Sequence, residues 1–163
     1  MKHGWDRRGV RAGRLASALV ACALCVVAGC HRTPAEQLIR DTIDTMHQAG
    51  EKHDISGVVA PMADDFAGRD DDNELNVDRK EFQRYLTLVQ MQEGGSLHAT
   101  LGPLTIALQG ADHATADFTM LVTGGKGLIP NDGQMLQLHT GWRLDGSKWE
   151  LISADWKADR VVK

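Results

Sequence analysis

One acidic side chain stands out as a candidate for proton transfer, Asp155. It continues the alternation of a predicted strand whose inward residues are otherwise apolar, such as Leu151. An acid in that position must be paired, protonated or close to water. It could therefore act on a ligand at the mouth of a pocket. The alternative, which the pattern favours, is a carboxylate exposed near the end of the strand.

Other arrangements that carry chemistry are missing from the sequence. There is no His-Glu-x-x-His pattern, no Gly-x-Ser-x-Gly elbow, and no cysteine after Cys30. The glycines around Lys126 lack the Gly-Lys-Ser/Thr match of a phosphate loop, and the acidic stretch 68–74 lacks the glycine and glutamate of a calcium loop. His139 alternates to the face opposite Trp142. We therefore predict no metal site and no cofactor.

The first 29 residues predict an export signal. Five basic residues precede an apolar run from Leu15 to Val27, which small residues end. The segment Val27-Ala28-Gly29-Cys30 resembles the lipobox of bacterial lipoproteins. That resemblance implies cleavage before Cys30, lipidation of its sulfur, a tether over 30–33, and anchoring in the cell envelope. His31 in the next position implies the periplasmic face of the outer membrane. An ordinary secretory signal with an incidental cysteine is the alternative.

The charge of the remaining chain limits its partners. The signal holds five of the 18 Lys and Arg residues and one of the 22 Asp and Glu residues, so the rest carries a net charge of −8. Nucleic acid and anionic headgroups repel a chain this acidic. We therefore predict no nucleic-acid partner and a membrane contact made through the lipid.

The stretch from Gln134 to Trp156 predicts a β-hairpin. Asp145-Gly146 is a turn signal, and apolar residues alternate with polar ones on both sides. A two-residue turn sets Trp142 opposite Trp149, and a four-residue turn sets it opposite Leu151. Both registers keep the apolar residues on one face, so we predict one of them.

The stretch from Ser96 to Val122 predicts two more strands. The first has a bend or bulge at Gly102-Pro103, where the alternation is interrupted. The second places Phe118 and Met120 on its apolar face. A flexible loop running to Gly133 joins it to the hairpin, and residues 158–163 form a frayed tail.

Three helices precede these strands. The first spans Pro34 to Ala49, with Thr33 and Glu36 as a capping box and Gly50 as the stop. The second begins at Asp54, carries apolar residues at helical spacing up to Phe66, and is kinked or ended by Pro61. After a polar loop over 68–74, Asn76 caps the third, which ends at Gly94-Gly95. Its apolar stripe contains Phe82, Tyr85, Leu86 and Val89.

Together these elements predict an α+β domain over 34–157, with three N-terminal helices packed on a curved four-stranded antiparallel sheet. The capped first helix, the run from His53-Asp54 to Asp64-Asp65-Phe66 and the closing Trp-rich hairpin resemble the nuclear transport factor 2-like superfamily. That resemblance implies a cone-shaped sheet around a pocket, and it implies dimerisation through the sheet in many members.

The resemblance also implies functional residues. Enzymes of this scaffold often use a buried carboxylate, which makes Asp155 and Asp65 the catalytic candidates, although solvation at a helix end is the simpler role for Asp65. The candidate binding residues share a position on or beside the predicted pocket wall: Trp142, Phe118, Tyr85, Thr140 and Ser153.

We expect a lipid-anchored envelope protein that binds a small apolar ligand or a protein partner without catalysis. The first alternative is a small-molecule isomerase, dehydratase or hydrolase that uses a pocket carboxylate. The second is a structural protein that forms a homodimer through its sheet. A carboxylate inside an empty cavity would favour the enzyme, and an apolar lining would favour the binder.

Overall fold

A computed structural model describes residues 34–71, 75–93, 97–124 and 132–162 of the chain. Residues Pro34–Lys163 form one unit. Several predictions fall outside the described residues, namely the signal peptide (1–29), the tether (30–33) with the cap Thr33, the helix stop at Gly94-Gly95, and the loop over 125–131.

The described residues contain three helices, Ala35–Glu51 (α1), Ile55–Val59 (α2) and Arg79–Glu93 (α3). Helix α1 continues through Gly50, where the sequence predicts its stop, and Lys52 is its C-cap. Asp54 begins the second element as predicted, because its carboxylate accepts a hydrogen bond from the backbone N–H of Gly57 at 3.0 Å. Helix α2 ends before Pro61, which lacks the donor that a longer helix needs.

The sheet has six strands, so the prediction of four antiparallel strands is wrong. Their spatial order is β2-β1-β6-β5-β4-β3, and β1 runs parallel to β6 while all other neighbours are antiparallel. The strands are Met62–Asp70 (β1), Leu75–Asp78 (β2), His98–Gln109 (β3), His113–Gly124 (β4), Asp132–Asp145 (β5) and Lys148–Val162 (β6). The predicted tail over 158–163 is, through residue 162, the end of β6.

The two additional strands occupy the stretch that the sequence divides between a helix and a loop. Met62 and Phe66 are buried while Asp64 between them is exposed, which breaks the alternation of a strand and imitates a helix; the pairing of β1 with β6 shifts register between Met62 and Ala67. The predicted cap Asn76 lies in β2. Asp78 caps α3 instead: its carboxylate accepts from the N–H of Glu81 at 2.8 Å, and the Glu81 carboxylate accepts from the N–H of Asp78 at 2.9 Å.

The hairpin has Trp142 opposite Leu151, the register predicted for a four-residue turn, but the turn has only two residues and begins at Gly146 rather than at Asp145. Asp145 pairs with Lys148, so the turn itself is Gly146 and Ser147, and Gly146 has a φ of +59°. The interruption in β3 is a bulge as predicted, since the register shifts between Leu101 and Leu104.

The core lies between the helices and one face of the sheet, which we call the inner face. Ile39 and Ile43 of α1 are buried against it. The sheet and the short connections contribute the other buried apolar residues: Val59, Met62, Phe66, Ala114, Ala116, Trp142, Trp149, Leu151 and Ala154.

Candidate ligand-binding face

Burial along the inner face falls from the hairpin turn toward the opposite end of the sheet. On β4, Ala114 and Ala116 are buried, whereas Phe118 and Met120 are only partly buried. On β5, burial falls at the same position across the sheet, just beyond the buried residues Trp142 and Thr140. The inner face therefore consists of a closed half and a more open half.

The closed half is filled by the side chains of the protein itself. Trp142 is 1% exposed, and its indole N–H donates to the Thr140 hydroxyl at 2.9 Å. That hydroxyl donates in turn to the carbonyl oxygen of Ala116 at 2.8 Å. Both polar groups are satisfied inside the core, so this arrangement needs no ligand. Trp142 and Thr140 were predicted as binding residues, and the structure places them in packed interior.

The open half has an apolar floor, which we call the distal floor and define as Phe118, Met120, Leu136 and Leu138. Phe118 pairs with Leu138, and Met120 pairs with Leu136, on neighbouring strands. All four are partly exposed. Among the described residues, Met120, Leu136 and Leu138 belong neither to the buried core nor to the apolar side chains packed on it. Apolar surface of this kind is available to a ligand.

The two longer helices pack mainly on strands near the two edges of the sheet. Helix α1 packs on β3, and α3 packs on β1 and β2. Aromatic rings form the border on the α3 side: Phe82 lies 5.8 Å from Trp156 and 6.0 Å from Phe66, measured between ring centroids. The distal floor is thus bordered on one side by an aromatic cluster.

Asp155 does not continue the inner face, and the reason is a bulge in β6. Trp142 pairs with Leu151, but Gly141 pairs with Ser153, so Ile152 is an extra residue on β6. One extra residue moves every following side chain to the other side of the sheet. Ser153 and Asp155 therefore lie on the outer face, and the prediction that they extend the apolar face is wrong.

On the outer face, Asp155 is part of a row of polar residues that crosses the sheet. It pairs with Arg69 on one side and with His139 on the other, and His139 pairs with Asp117. The His139 ring nitrogen Nδ1 lies 2.5 Å from the Asp117 carboxylate. The pKa of Arg69 is raised, mainly by its hydrogen bond to Asp71 and less by the charges of Asp71 and Asp155. His139 thus faces outward, as the alternation predicts.

Asp65, the second catalytic candidate, is held in an ion pair. Both of its carboxylate oxygens accept from Arg143, at 2.9 Å each. This bidentate contact keeps the pKa of Asp65 below its ordinary value. A depressed pKa suits a structural carboxylate better than a general base at neutral pH.

A charged groove of about 400 Å³ surrounds this ion pair. Arg79 donates there to Asp64 at 2.8 Å, and Arg143 lies 4.0 Å from Glu150. Each arginine already has an acidic partner, so the groove is a surface ion-pair network. Its lining comes from Ala60, Met62, Asp64, Asp65, Arg79, Arg143, Asp145 and Glu150.

Tyr85, another predicted binding residue, is 51% exposed on α3. Of the five predicted binding residues, the structure brings only Phe118 to the distal floor. Sequence reasoning missed Leu136 and Leu138 as binding candidates and left open whether Met120 lines a pocket or fills the core, because alternation shows which face a residue occupies but not how well that face is covered.

It also missed Asp70, which was predicted in a loop. Asp70 follows Phe66 and Gly68 on the inner side of β1 and pairs with Trp156. It is therefore a carboxylate that the backbone directs toward the interior, next to the aromatic border of the distal floor.

No group of three or more His, Cys, Asp or Glu side chains is placed to hold a metal ion within the described ranges. No helix in the same part of the chain has the length and apolar character to cross a membrane.

Comparisons with known proteins give the fold. No protein-family model and no curated protein match the chain. A crystal structure of a nuclear transport factor 2-like protein of unknown function from Pseudomonas putida is 26% identical, with 78% of this chain and 89% of that chain covered and a TM-score of 0.68.

Two other solved structures agree. A protein of unknown function with a cystatin-like fold from Nostoc punctiforme is 15% identical, with coverage of 80% and 96% and a TM-score of 0.66. A nuclear transport factor 2-like protein with a cystatin-like fold from Novosphingobium aromaticivorans is 14% identical, with coverage of 91% of both chains and a TM-score of 0.62. The domain described here has the nuclear transport factor 2-like, cystatin-like α+β fold.

Proposed function

We propose that this protein is a lipid-anchored envelope protein whose domain binds a small apolar ligand on the distal floor without catalysis. The observation that carries the proposal is the fall in burial along β4 and β5, which leaves Phe118, Met120, Leu136 and Leu138 as a partly exposed apolar surface. Burial of such surface is favourable by about 25 cal/mol per Å². A ligand that covers it would gain affinity without any charged partner.

The placement of the predicted acids supports binding over catalysis. Asp155 is on the outer face, and Asp65 is paired with Arg143. Neither lies on the inner face with the distal floor. The anchor is proposed from the sequence alone, where Cys30 ends an export signal.

Probe binding to the domain tests the ligand-binding part. An environment-sensitive apolar dye is titrated into the purified domain, and the Leu138→Asp variant is expected to weaken its binding about tenfold or more, because a carboxylate on the floor would lose its hydration. Leu108→Asp is the matched control, since Leu108 is an exposed leucine on β3. Equal binding to the wild-type domain and the Leu138→Asp variant would contradict the proposal.

Mass spectrometry of the full chain expressed in a bacterial envelope tests the anchor. We expect a mature protein that begins at Cys30 and carries the mass of its acyl groups. A Cys30→Ala variant should stay unprocessed or unacylated. A mature chain without added acyl mass would overturn the anchor and leave the ligand-binding part intact.

Asp70 gives the isomerase, dehydratase or hydrolase alternative one specific observation. Its position beside Trp156 puts a carboxylate at the border of the distal floor. An enzyme that uses it would lose turnover in the Asp70→Asn variant while it still binds its substrate. A binder would show no turnover in either form.

A further inference from the structure

Helix α3 carries apolar side chains on the side that faces solvent. Leu88 is 58% exposed and Met91 is 76% exposed, and Tyr85 lies one turn before Leu88. Three of the four large hydrophobic residues exposed in the described part of the chain are on this helix. Single exposed apolar residues are ordinary, but a run on successive turns of one helix marks a contact surface.

The packing of α3 does not require these residues. Its inward side is formed by Phe82, Leu86 and Val89, which are partly buried, and Phe82 and Leu86 pack on the core. Leu88 and Met91 lie roughly on the opposite side of the helix at 100° per residue. The outward apolar residues are therefore available for a contact outside the domain.

The same outward side carries positive charge. Lys80, Arg84 and Leu88 follow one another at intervals of four, so they share a stripe along the helix. The nearby Glu81 is tied into the capping box with Asp78. No ion pair involves Lys80 or Arg84 within the described residues. This stripe is basic on a chain that is otherwise acidic.

The combination of basic and apolar side chains fits a lipid surface. Long basic side chains place their charge at headgroups while their stems lie along apolar surface. Leucine, methionine and tyrosine beside them enter the boundary between headgroups and acyl chains. An acidic protein partner would match the charges equally but would not require an anchor nearby.

The position of the proposed anchor favours the membrane. A groove of about 440 Å³ contains Leu38, in the first turn of α1, and Ala60. Ala60 also lines the groove that contains Arg79, the first residue of α3. Ala60 thus borders two neighbouring grooves, one beside the start of α1 and the other beside the start of α3. A tether from Cys30 to α1 would hold α3 close to the bilayer.

We propose that the outward side of α3, formed by Lys80, Arg84, Leu88 and Met91 with Tyr85 at its edge, lies on an anionic membrane surface and orients the anchored domain. The inference rests on the proposed anchor for proximity. The anchor provides attachment, since two basic residues and three apolar ones on an acidic chain give only weak adhesion. The helix fixes which side of the domain faces lipid.

Fluorescence on tethered vesicles tests this contact without requiring acylation. The unit from Pro34 to Lys163 has no cysteine, so the Leu88→Cys and Met91→Cys variants each present one thiol for an environment-sensitive label. An N-terminal hexahistidine tag captures the domain on vesicles of phosphatidylethanolamine and phosphatidylglycerol that contain nickel-chelating lipid. We expect a blue shift and a rise in emission of about twofold for both labels.

Two labelled controls define the alternatives. Gln83→Cys is exposed on another side of α3, and Thr105→Cys is exposed on the outer face of the sheet; both labels should remain in water. No shift at Leu88→Cys and Met91→Cys, or an equal shift at all four positions, would overturn the proposal. Because the tag replaces the lipid, either outcome is independent of acylation at Cys30.

Charge reversal provides a second test. The pair Lys80→Glu and Arg84→Glu, added to the Leu88→Cys variant, should reduce partitioning of the untethered domain into anionic vesicles by at least about 30-fold. The pair Lys148→Glu and Lys157→Glu makes the same change in net charge at exposed positions of the hairpin, and it should have a much smaller effect. Equal losses for the two pairs would show that only net charge matters and would refute a specific contact.

Discussion

The hydroxyl of Ser153 lies over the α-carbon of Gly141, in the space that a side chain at position 141 would need. A β-carbon built on Gly141 would come within 2.5 Å of the Ser153 Oγ atom. This close approach occurs where Ile152 is inserted into β6. The bulge and the glycine therefore depend on each other, and together they decide which residues of β6 face outward.

Replacing this glycine should destabilise the domain. The Gly141→Ala change is expected to lower the free energy of unfolding by about 1 kcal/mol. Alanine loses less backbone entropy than glycine on folding, which stabilises the domain, but its overpacking against Ser153 costs more than this gain. Urea denaturation measures the change. The Gly141→Ala and Ser153→Ala double variant should recover most of the loss, since the contact then disappears. A single Gly141→Ala variant as stable as the wild type would contradict this account.

The buried hydroxyl of Thr140 should contribute more to the free energy of unfolding than its methyl group does. Thr140→Val removes the acceptor of the Trp142 indole N–H and should reduce the free energy of unfolding by about 1–3 kcal/mol. Thr140→Ser keeps the hydroxyl and loses only a methyl group, so it serves as the matched control. We expect a lower denaturation midpoint for the valine variant. The reverse order would mean that the indole finds another partner.

Removing the carboxylate of Asp155 should leave ligand binding unchanged. The bulge places this side chain on the outer face between Arg69 and His139, away from the distal floor. The Asp155→Ala variant should bind the apolar dye with wild-type affinity and change the free energy of unfolding by about 0.5 kcal/mol or less. The Leu138→Asp variant provides the contrast in the same titration. Weaker dye binding in the Asp155→Ala variant would contradict this expectation and show that Asp155 takes part in ligand binding.

Glu51 should make the stability of the domain depend on pH. Its carboxylate accepts from the N–H of Ala99 at 2.6 Å and fastens the end of α1 to β3. This hydrogen bond, followed by contributions from His98 and against the effect of desolvation, lowers the pKa of Glu51 below its ordinary value of 4.5. A lowered folded-state pKa stabilises the domain above pH 4.5, and the contribution is lost as the pH falls through the folded value.

The Glu51→Gln variant isolates this charge. At neutral pH it should be less stable than the wild type by about 1 kcal/mol, since an amide replaces a charged acceptor. The difference should shrink below pH 4.5. Asp44→Asn, an exposed change on the same helix, controls for the loss of one negative charge. A difference that stays constant down to acid pH would show that Glu51 is not stabilised as a carboxylate.

The helices and the four C-terminal strands could be predicted because their patterns are local. The alternation around Trp142 limited the hairpin to two registers, and Gly102-Pro103 marked the bulge in β3. Strand β1 could not be predicted in this way, because Asp64 is exposed between the buried Met62 and Phe66 where the register shifts, so the alternation of a strand is lost. Its partners also include β6, which lies near the other end of the chain.

The candidate site was less predictable than the fold. Asp155 alternates correctly with Leu151 in the sequence, and nothing there shows that Ile152 is inserted between them. Tyr85 shares the spacing of the buried stripe of α3 but lies at its margin, so it is exposed. The distal floor depends on which parts of the sheet the helices cover, and that is a property of the assembled domain.

The parallel pairing of β1 with β6 affects how the domain is made. Met62 of β1 pairs with Leu151 of β6, so the first strand to be synthesised cannot form this pairing until the last strand has been made. Until then one edge of the β1–β2 ribbon has free backbone groups that can pair with another chain. Such distant pairing slows folding and extends the period of exposure to aggregation. A newly made chain therefore depends on its final strand for protection.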